Sequence, residues 1–200
     1  MKPREKAIGA AILIATLLWY ISNRPVHRAP GVMVPDAPEQ HEVTAPAPTF
    51  TKSGASIAAQ ATFDIHARVL SRENYWMDGG AKLVPVDLAL GWGRMSDSAV
   101  LEKLSISQFG RFYFWSASEL PIPENEISQS SANMHLIPAT SSVERAIKRV
   151  RSGDLVHFTG YLVNVQMPGG GTWNSSLTRT DVGAGACEVV WVEEFEIGPR

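Results

Sequence analysis

Few residues in this chain have the chemistry to do catalysis. Cys187 is the only cysteine, and it stands in Gly183-Ala184-Gly185-Ala186-Cys187-Glu188, at the entry to an apolar run. A cysteine nucleophile needs a base to form thiolate and a third group to orient that base. His66, His135 and His157 could supply the base, and Asp181 or Glu188 could orient it. Ser176 is the alternative nucleophile of a hydrolase, with His135 as its base. The catalytic candidates are thus Cys187, His135 and Ser176, but the residues around them match no nucleophile motif. A lone cysteine on an apolar strand is ordinarily a small core side chain. The same histidines show no His-x-His, Cys-x-x-Cys or His-Glu-x-x-His spacing, so the sequence predicts neither a metal site nor a cofactor. His66 is expected to point to solvent from its strand.

Binding has a better foothold. The stretch SSLTRTDVGAG, from Ser175 to Gly185, is dense in hydroxyls and glycine. Loops of this kind between strands commonly carry binding sites, and a guanidinium beside hydroxyls and free amides can hold a carboxylate, a phosphate or a sugar. Ser175, Ser176, Thr178, Arg179 and Asp181 are therefore the expected ligand-binding residues, with Trp173 on the adjoining strand as a stacking surface. The plainer reading is a structural loop in which Arg179 pairs with Asp181 and the hydroxyls satisfy the turn backbone.

These residues must be positioned by strands. Phe63, Ile65, Ala67 and Val69 alternate with Asp64, His66 and Arg68, the period of a half-buried strand. Further strands are expected at Leu83 to Leu90, Arg111 to Ser116, Asn133 to Ile137, Asp154 to Met167, Thr172 to Leu177 and Ala186 to Ile197. In RFYFWS, Phe112 and Phe114 fall on one face and Tyr113 and Trp115 on the other, so both faces want cover. Gly160 is expected to mark a bulge or a bend. Two helices fit between the strands. One is capped by Ser96 and runs to Leu104. The other is opened by the capping box Ser141-Ser142-Val143-Glu144 and ended by Gly153. The fold class expected is α+β, a mainly antiparallel bent sheet or small β-barrel with two short helices. The run Gly153 to Val163 resembles the first strand of an OB-fold or SH3-like barrel.

The amino-terminal quarter points to a membrane. Lys2, Arg4 and Lys6 precede an uncharged run from Ala7 to Ser22 that ends in Trp19 and Tyr20. Sixteen helical residues span about 24 Å, short of a hydrocarbon layer of about 30 Å unless flanking residues snorkel. The residues just after the run offer no small-x-small cleavage site, and Ala29-Pro30-Gly31 lies late and contains proline, so the run is read as an uncleaved signal-anchor with its basic tail inside, in preference to a cleaved signal peptide. The expected layout is a cytoplasmic tail (1–6), a transmembrane helix (7–22), a proline-rich disordered tether (23–53) and a β-rich periplasmic domain (54–200). Such a layout resembles that of energy-transducing and secretion-system inner-membrane proteins of bacteria. A net charge of -2 without a basic stripe makes nucleic acid an unlikely partner. The sequence therefore favours a non-enzymatic, membrane-anchored envelope protein whose domain binds another envelope protein or a cell-wall polymer. An envelope hydrolase and an OB-like oligosaccharide or oligonucleotide binder are the alternatives.

Overall fold

The structure, a computed structural model, describes Gly9, Ile12 to Leu17, Tyr20, Ile21, residues 23–181, Gly183 and residues 185–200. It is α+β, mostly sheet with few short helices. Its central feature is a closed ring. The strands β3 (Ala55–Asn74), β4 (Val86–Gly91), β7 (Ser131–Pro138), β10 (Glu188–Ile197) and β8 (Leu155–Gln166) are hydrogen-bonded in that order, and β8 returns to β3. Only β7 with β10 runs parallel. Phe63, Ile65, Leu88, Met134, Leu136, Phe158, Leu162 and Val190 fill the interior.

The strand expected at 63–69 is one part of β3, which is 20 residues long. The rest was hidden because Ala55 to Ala61 is rich in alanine, a poor strand former. A bulge between Ala59 and Ala61 also separates the two halves of β3. An extra residue shifts the side-chain parity. Ala61, Phe63 and Ile65 therefore face the barrel core, while Ala55 and Ile57 join a second cluster with Val163, Val165, Val189 and Trp191. With a core on each face, β4 and the start of β10 are buried on both sides, which accounts for their unbroken apolar runs. The run from Gly153 to Val163, read as a first strand, instead enters β8, the fourth strand of the barrel in chain order. Gly160 is where β10 approaches most closely: a Cβ there would meet the Trp191 carbonyl oxygen at 1.9 Å, and the bulge lies opposite, between Val192 and Glu194.

Three short helices join the ring. Asp97, not Ser96, caps α1 (Ser98–Leu101), its carboxylate accepting from the Ala99 amide. Ser96 is instead buried, its hydroxyl accepting from the Met33 and Val34 amides. The helix α2 (Glu124–Gln129) was not expected. In α3 (Ser141–Ile147) the cap is Thr140, one residue earlier than the predicted box, and Val143 and Ile147 pack into the barrel core. A separate hairpin, β5 (Ser105–Phe109) and β6 (Phe112–Ser116), packs Ile106 and Trp115 over a third cluster around Met95 and Ile127.

The anchor expected at 7–22 lies partly outside the described residues. Those of it that are described, Gly9, Ile12 to Leu17, Tyr20 and Ile21, are helical and exposed. Among the described residues no helix is long and apolar enough to cross a membrane. The stretch expected to be a disordered tether is extended, as its prolines dictate, but it lies along the barrel. The Val26 amide donates to Ser152 O at 2.8 Å, Gly31 N to Asp97 Oδ1 at 2.8 Å, and Gly93 N to Val34 O at 2.7 Å. Further on, β1 (Glu39–Glu42) and β2 (Thr49–Lys52) both pair with β3. The barrel thus supplies the hydrogen-bond partners that a free proline-rich chain lacks, and the folded unit begins well before residue 54. A short strand, β9 (Thr172–Asn174), pairs with β8.

Candidate functional site

Strand register sets Asp87 of β4 directly opposite His135 of β7, on the outer face of the barrel. Loops cover that face, and Asp87 is fully buried. A buried carboxylate without compensation is too costly to persist. Here the compensation is Arg111, at the turn of the β5–β6 hairpin. Its guanidinium donates to Asp87 Oδ1 at 3.0 Å, to Val84 O at 3.1 Å and to Asp78 Oδ2 at 2.8 Å, and lies 3.5 Å above the Tyr75 ring. Arg111 has a φ of 73°, so its backbone is held left-handed at some cost. His135 Nδ1 sits 2.9 Å from Asp87 Oδ2, at ion-pair distance but without hydrogen-bond alignment. Its ring lies against Trp173, with centroids 4.5 Å apart. His135 and Trp173, expected respectively as a base and a ligand platform, are thus two walls of one buried ion-pair cluster.

The polar loop is built largely to hold itself. Ser175 Oγ accepts from Val189 N at 3.1 Å, and Ser176 Oγ accepts from Thr178 N at 3.1 Å and donates to Asp181 Oδ2 at 2.7 Å. Asp181 is therefore the partner of Ser176, and the expected Arg179–Asp181 pair does not form. Arg179 pairs with Glu188 instead, and its second amine donates to Gln40 Oε1 at 2.9 Å. Glu188 is buried at the start of β10. Burial pushes its carboxyl up to about 7, against the pull of Arg179, and its Oε2 has no partner among the described residues.

Cys187, beside it, lies 3.9 Å from Asn133 Nδ2. Burial pushes the thiol up to about 11, the direction opposite to activation. Among the described residues no hydrogen bond links His135 to Cys187 or to Ser176.

What the loop and the hairpin do form together is a groove of about 260 Å³. Phe112 and Phe114 of β6 stand on one side and Arg179 and Asp181 on the other, with Asn133 and Glu188 between them. The hairpin half-buries Tyr113 and Trp115 beneath it and leaves the other face bare, so only one of its two faces has any of the cover both were expected to need. Phe109 is 81% exposed, Phe112 45% and Phe114 50%, and Phe109 is the cross-strand partner of Phe112. The Arg111–Asp78 pair ties this hairpin to the loop that carries Trp76 and Met77, exposed at 80% and 91%.

Thr178, Arg179 and Asp181 of the predicted set therefore line the groove. Ser175 and Ser176 brace the loop from behind. Asp87 and Arg111 were missed, although a lone carboxylate inside the apolar run Val86 to Leu90 is the signal of a buried pair. The exposed phenylalanines were missed because the alternation in RFYFWS shows two apolar faces but not which is left open. No protein-family model, characterised protein or solved structure matches the chain.

Proposed function

We propose that this chain is a non-enzymatic binding protein whose hairpin face and adjoining groove take an apolar, extended segment of another protein. The observation that carries this reading is the uncovered Phe109-Phe112-Phe114 face beside the groove. Soluble domains seldom leave large aromatic groups clustered in water unless something binds there, and aromatic anchors dominate protein interfaces. Peptide amides of such a segment would meet the exposed Asp181 carboxylate. Together with the basic, apolar and aromatic order of residues 1–22, this reading makes the partner another envelope protein and sets the domain outside the cytoplasm. A photo-crosslinking residue at Phe114 should capture one protein from intact cells, and one at Arg149, exposed and outside the groove, should not. Equal labelling from both positions, or none from Phe114, would count against it.

The strand order supports a second reading. A ring of five antiparallel strands closed by one parallel pair, with a helix between the third and fourth, is the arrangement of OB-type barrels, which bind oligomers over their second and third strands. The groove lies over the third of these strands, β7, and the start of the fifth, β10. Its cations argue against nucleic acid: Arg179 is paired with Glu188, and Arg111 with Asp78 and Asp87. A cell-wall glycan is the remaining occupant, and saturable binding of purified glycan lost on Phe114→Ser would favour it.

A further inference from the structure

We propose that Asp64, His66 and His157, on the open face of strands β3 and β8, form a binding site for a divalent transition-metal ion of the zinc, nickel or copper class. Asp64 and His66 are two apart on β3, so both side chains leave the same face while Phe63, Ile65 and Ala67 point into the core. His157 is the register partner of His66 across the antiparallel pair. The two imidazoles are stacked, with centroids 4.0 Å apart and planes 6° apart, and His157 Nε2 lies 2.9 Å from Asp64 Oδ1. One ligand atom from each of the three residues falls within 4.8 Å of the others.

Ligands bound to one ion at about 2.0 to 2.1 Å stand about 3 to 3.4 Å apart. The set is therefore one small side-chain rotation from coordination. Those rotations are open to it, because His66 and Asp64 are exposed and His157 is half-buried. The strands beneath are not free to move. They belong to the closed ring and pair from Ser56–Gln166 to Arg68–Leu155, so the ligands are held by the sheet rather than by a loop.

The surroundings favour a cation. Glu39 of β1 is the register partner of Asp64, and Glu196 of β10 that of His157. With Asp36 they border a cleft of about 580 Å³ that contains all three ligands. Two imidazoles and a carboxylate suit zinc, nickel or copper rather than magnesium or calcium, which take oxygen donors. Three protein ligands leave at least one position for water, so the ion would sit in an open site. It would also cross-link β3 to β8.

The test uses the full chain, stripped with chelator and titrated by calorimetry with zinc sulfate or nickel chloride alone. One ion per chain should bind saturably, and the thermal midpoint should rise with it. His66→Ala and His157→Ala should each weaken binding roughly tenfold or more, the loss expected when one of three ligands goes. Asp64→Asn should weaken it less, and His27→Ala, outside the cluster, should leave it unchanged. All four positions are solvent-accessible, and an unaltered circular dichroism spectrum confirms that each variant is folded. The proposal fails if no saturable heat appears, if the ion still binds when both histidines are replaced, or if magnesium or calcium binds as tightly as zinc.

Discussion

The barrel carries two aspartate–histidine pairs at the same separation, 2.9 Å, and they do different things. Asp87 and His135 lie under Arg111, Tyr75 and Trp173, and Asp87 has no exposure at all. Asp64 and His157 stand on the outside of the sheet with water over them. Distance is common to both, so it cannot decide their roles. Burial can. In the first pair the carboxylate has lost its hydration and is committed to a guanidinium, so the contact is a strut that fixes the hairpin to the barrel. In the second the carboxylate has given up little and remains available to a third party.

Removing each carboxylate should separate the two roles. Asp87→Ala removes the buried partner of the Arg111 guanidinium and leaves it only the part-exposed Asp78 carboxylate, and breaking a buried pair costs up to about 3 to 5 kcal/mol. Urea unfolding should show a loss of that size, and proteolysis should cut first near the released hairpin turn at Phe109 to Phe112. A loss as small as that of an exposed pair would show that burial is not what distinguishes the two. Glu188 is the intermediate case, buried and paired to a single arginine. Its carboxyl, raised to about 7, binds a proton more tightly folded than unfolded, where the usual value is about 4.3. The stability it contributes is therefore fully present below about pH 4.3 and is lost as pH rises through about 7. Relative to Glu188→Gln, the native chain should gain roughly 2 kcal/mol between pH 7.5 and pH 5, read as the difference in urea midpoints multiplied by the common slope. A parallel pH profile for the two would mean that Arg179 keeps Glu188 ionised throughout.

Smaller effects are expected where water reaches or where nothing is activated. With the thiol near 11, about one Cys187 in ten thousand is thiolate at pH 7, so aromatic disulfide reagents should label it far more slowly than free cysteine. Rapid labelling would reopen a nucleophilic role. Smallest of all is Asp64→Ala in metal-free buffer. An exposed pair contributes about 0.2 to 1 kcal/mol, and the unfolding midpoint should barely move.

What the sequence made legible follows the same division between local and distant. Alternation from Phe63 to Val69, the apolar runs in β4 and β10 and the cap before Val143 are local patterns, and each led to the right kind of element, although 63–69 is only part of β3 and the last helix stops at Ile147, short of Gly153. The α+β class came from them. The polar loop was also found locally, because hydroxyls and glycines cluster in ten or so residues. Its wiring was not: Arg179 answers to Glu188 and Gln40 rather than to the nearer Asp181, because neighbours two apart in an irregular loop need not face each other. His66 and His157 are brought together by sheet register across ninety residues of chain, and no spacing rule reaches that far. The segment from residue 24 to 38 was misjudged for the opposite reason. Its composition describes a free chain, and nothing in composition reports that Ser96, Asp97 and Ser152 wait for its amides.

That segment has a mechanical consequence. A slack rope between the first residues and the barrel would let the domain wander, and any pull on it would be absorbed by straightening. Here the strap is already seated, fastened in turn at Ser152, Asp97, Ser96 and along β1. Tension applied ahead of residue 23 would be borne by one fastening at a time, and each release would lengthen the reach of the domain by a few residues while the ring of strands stayed whole. The strap would then behave as a ratchet of breakable stitches that sets how far the barrel stands from whatever holds its other end.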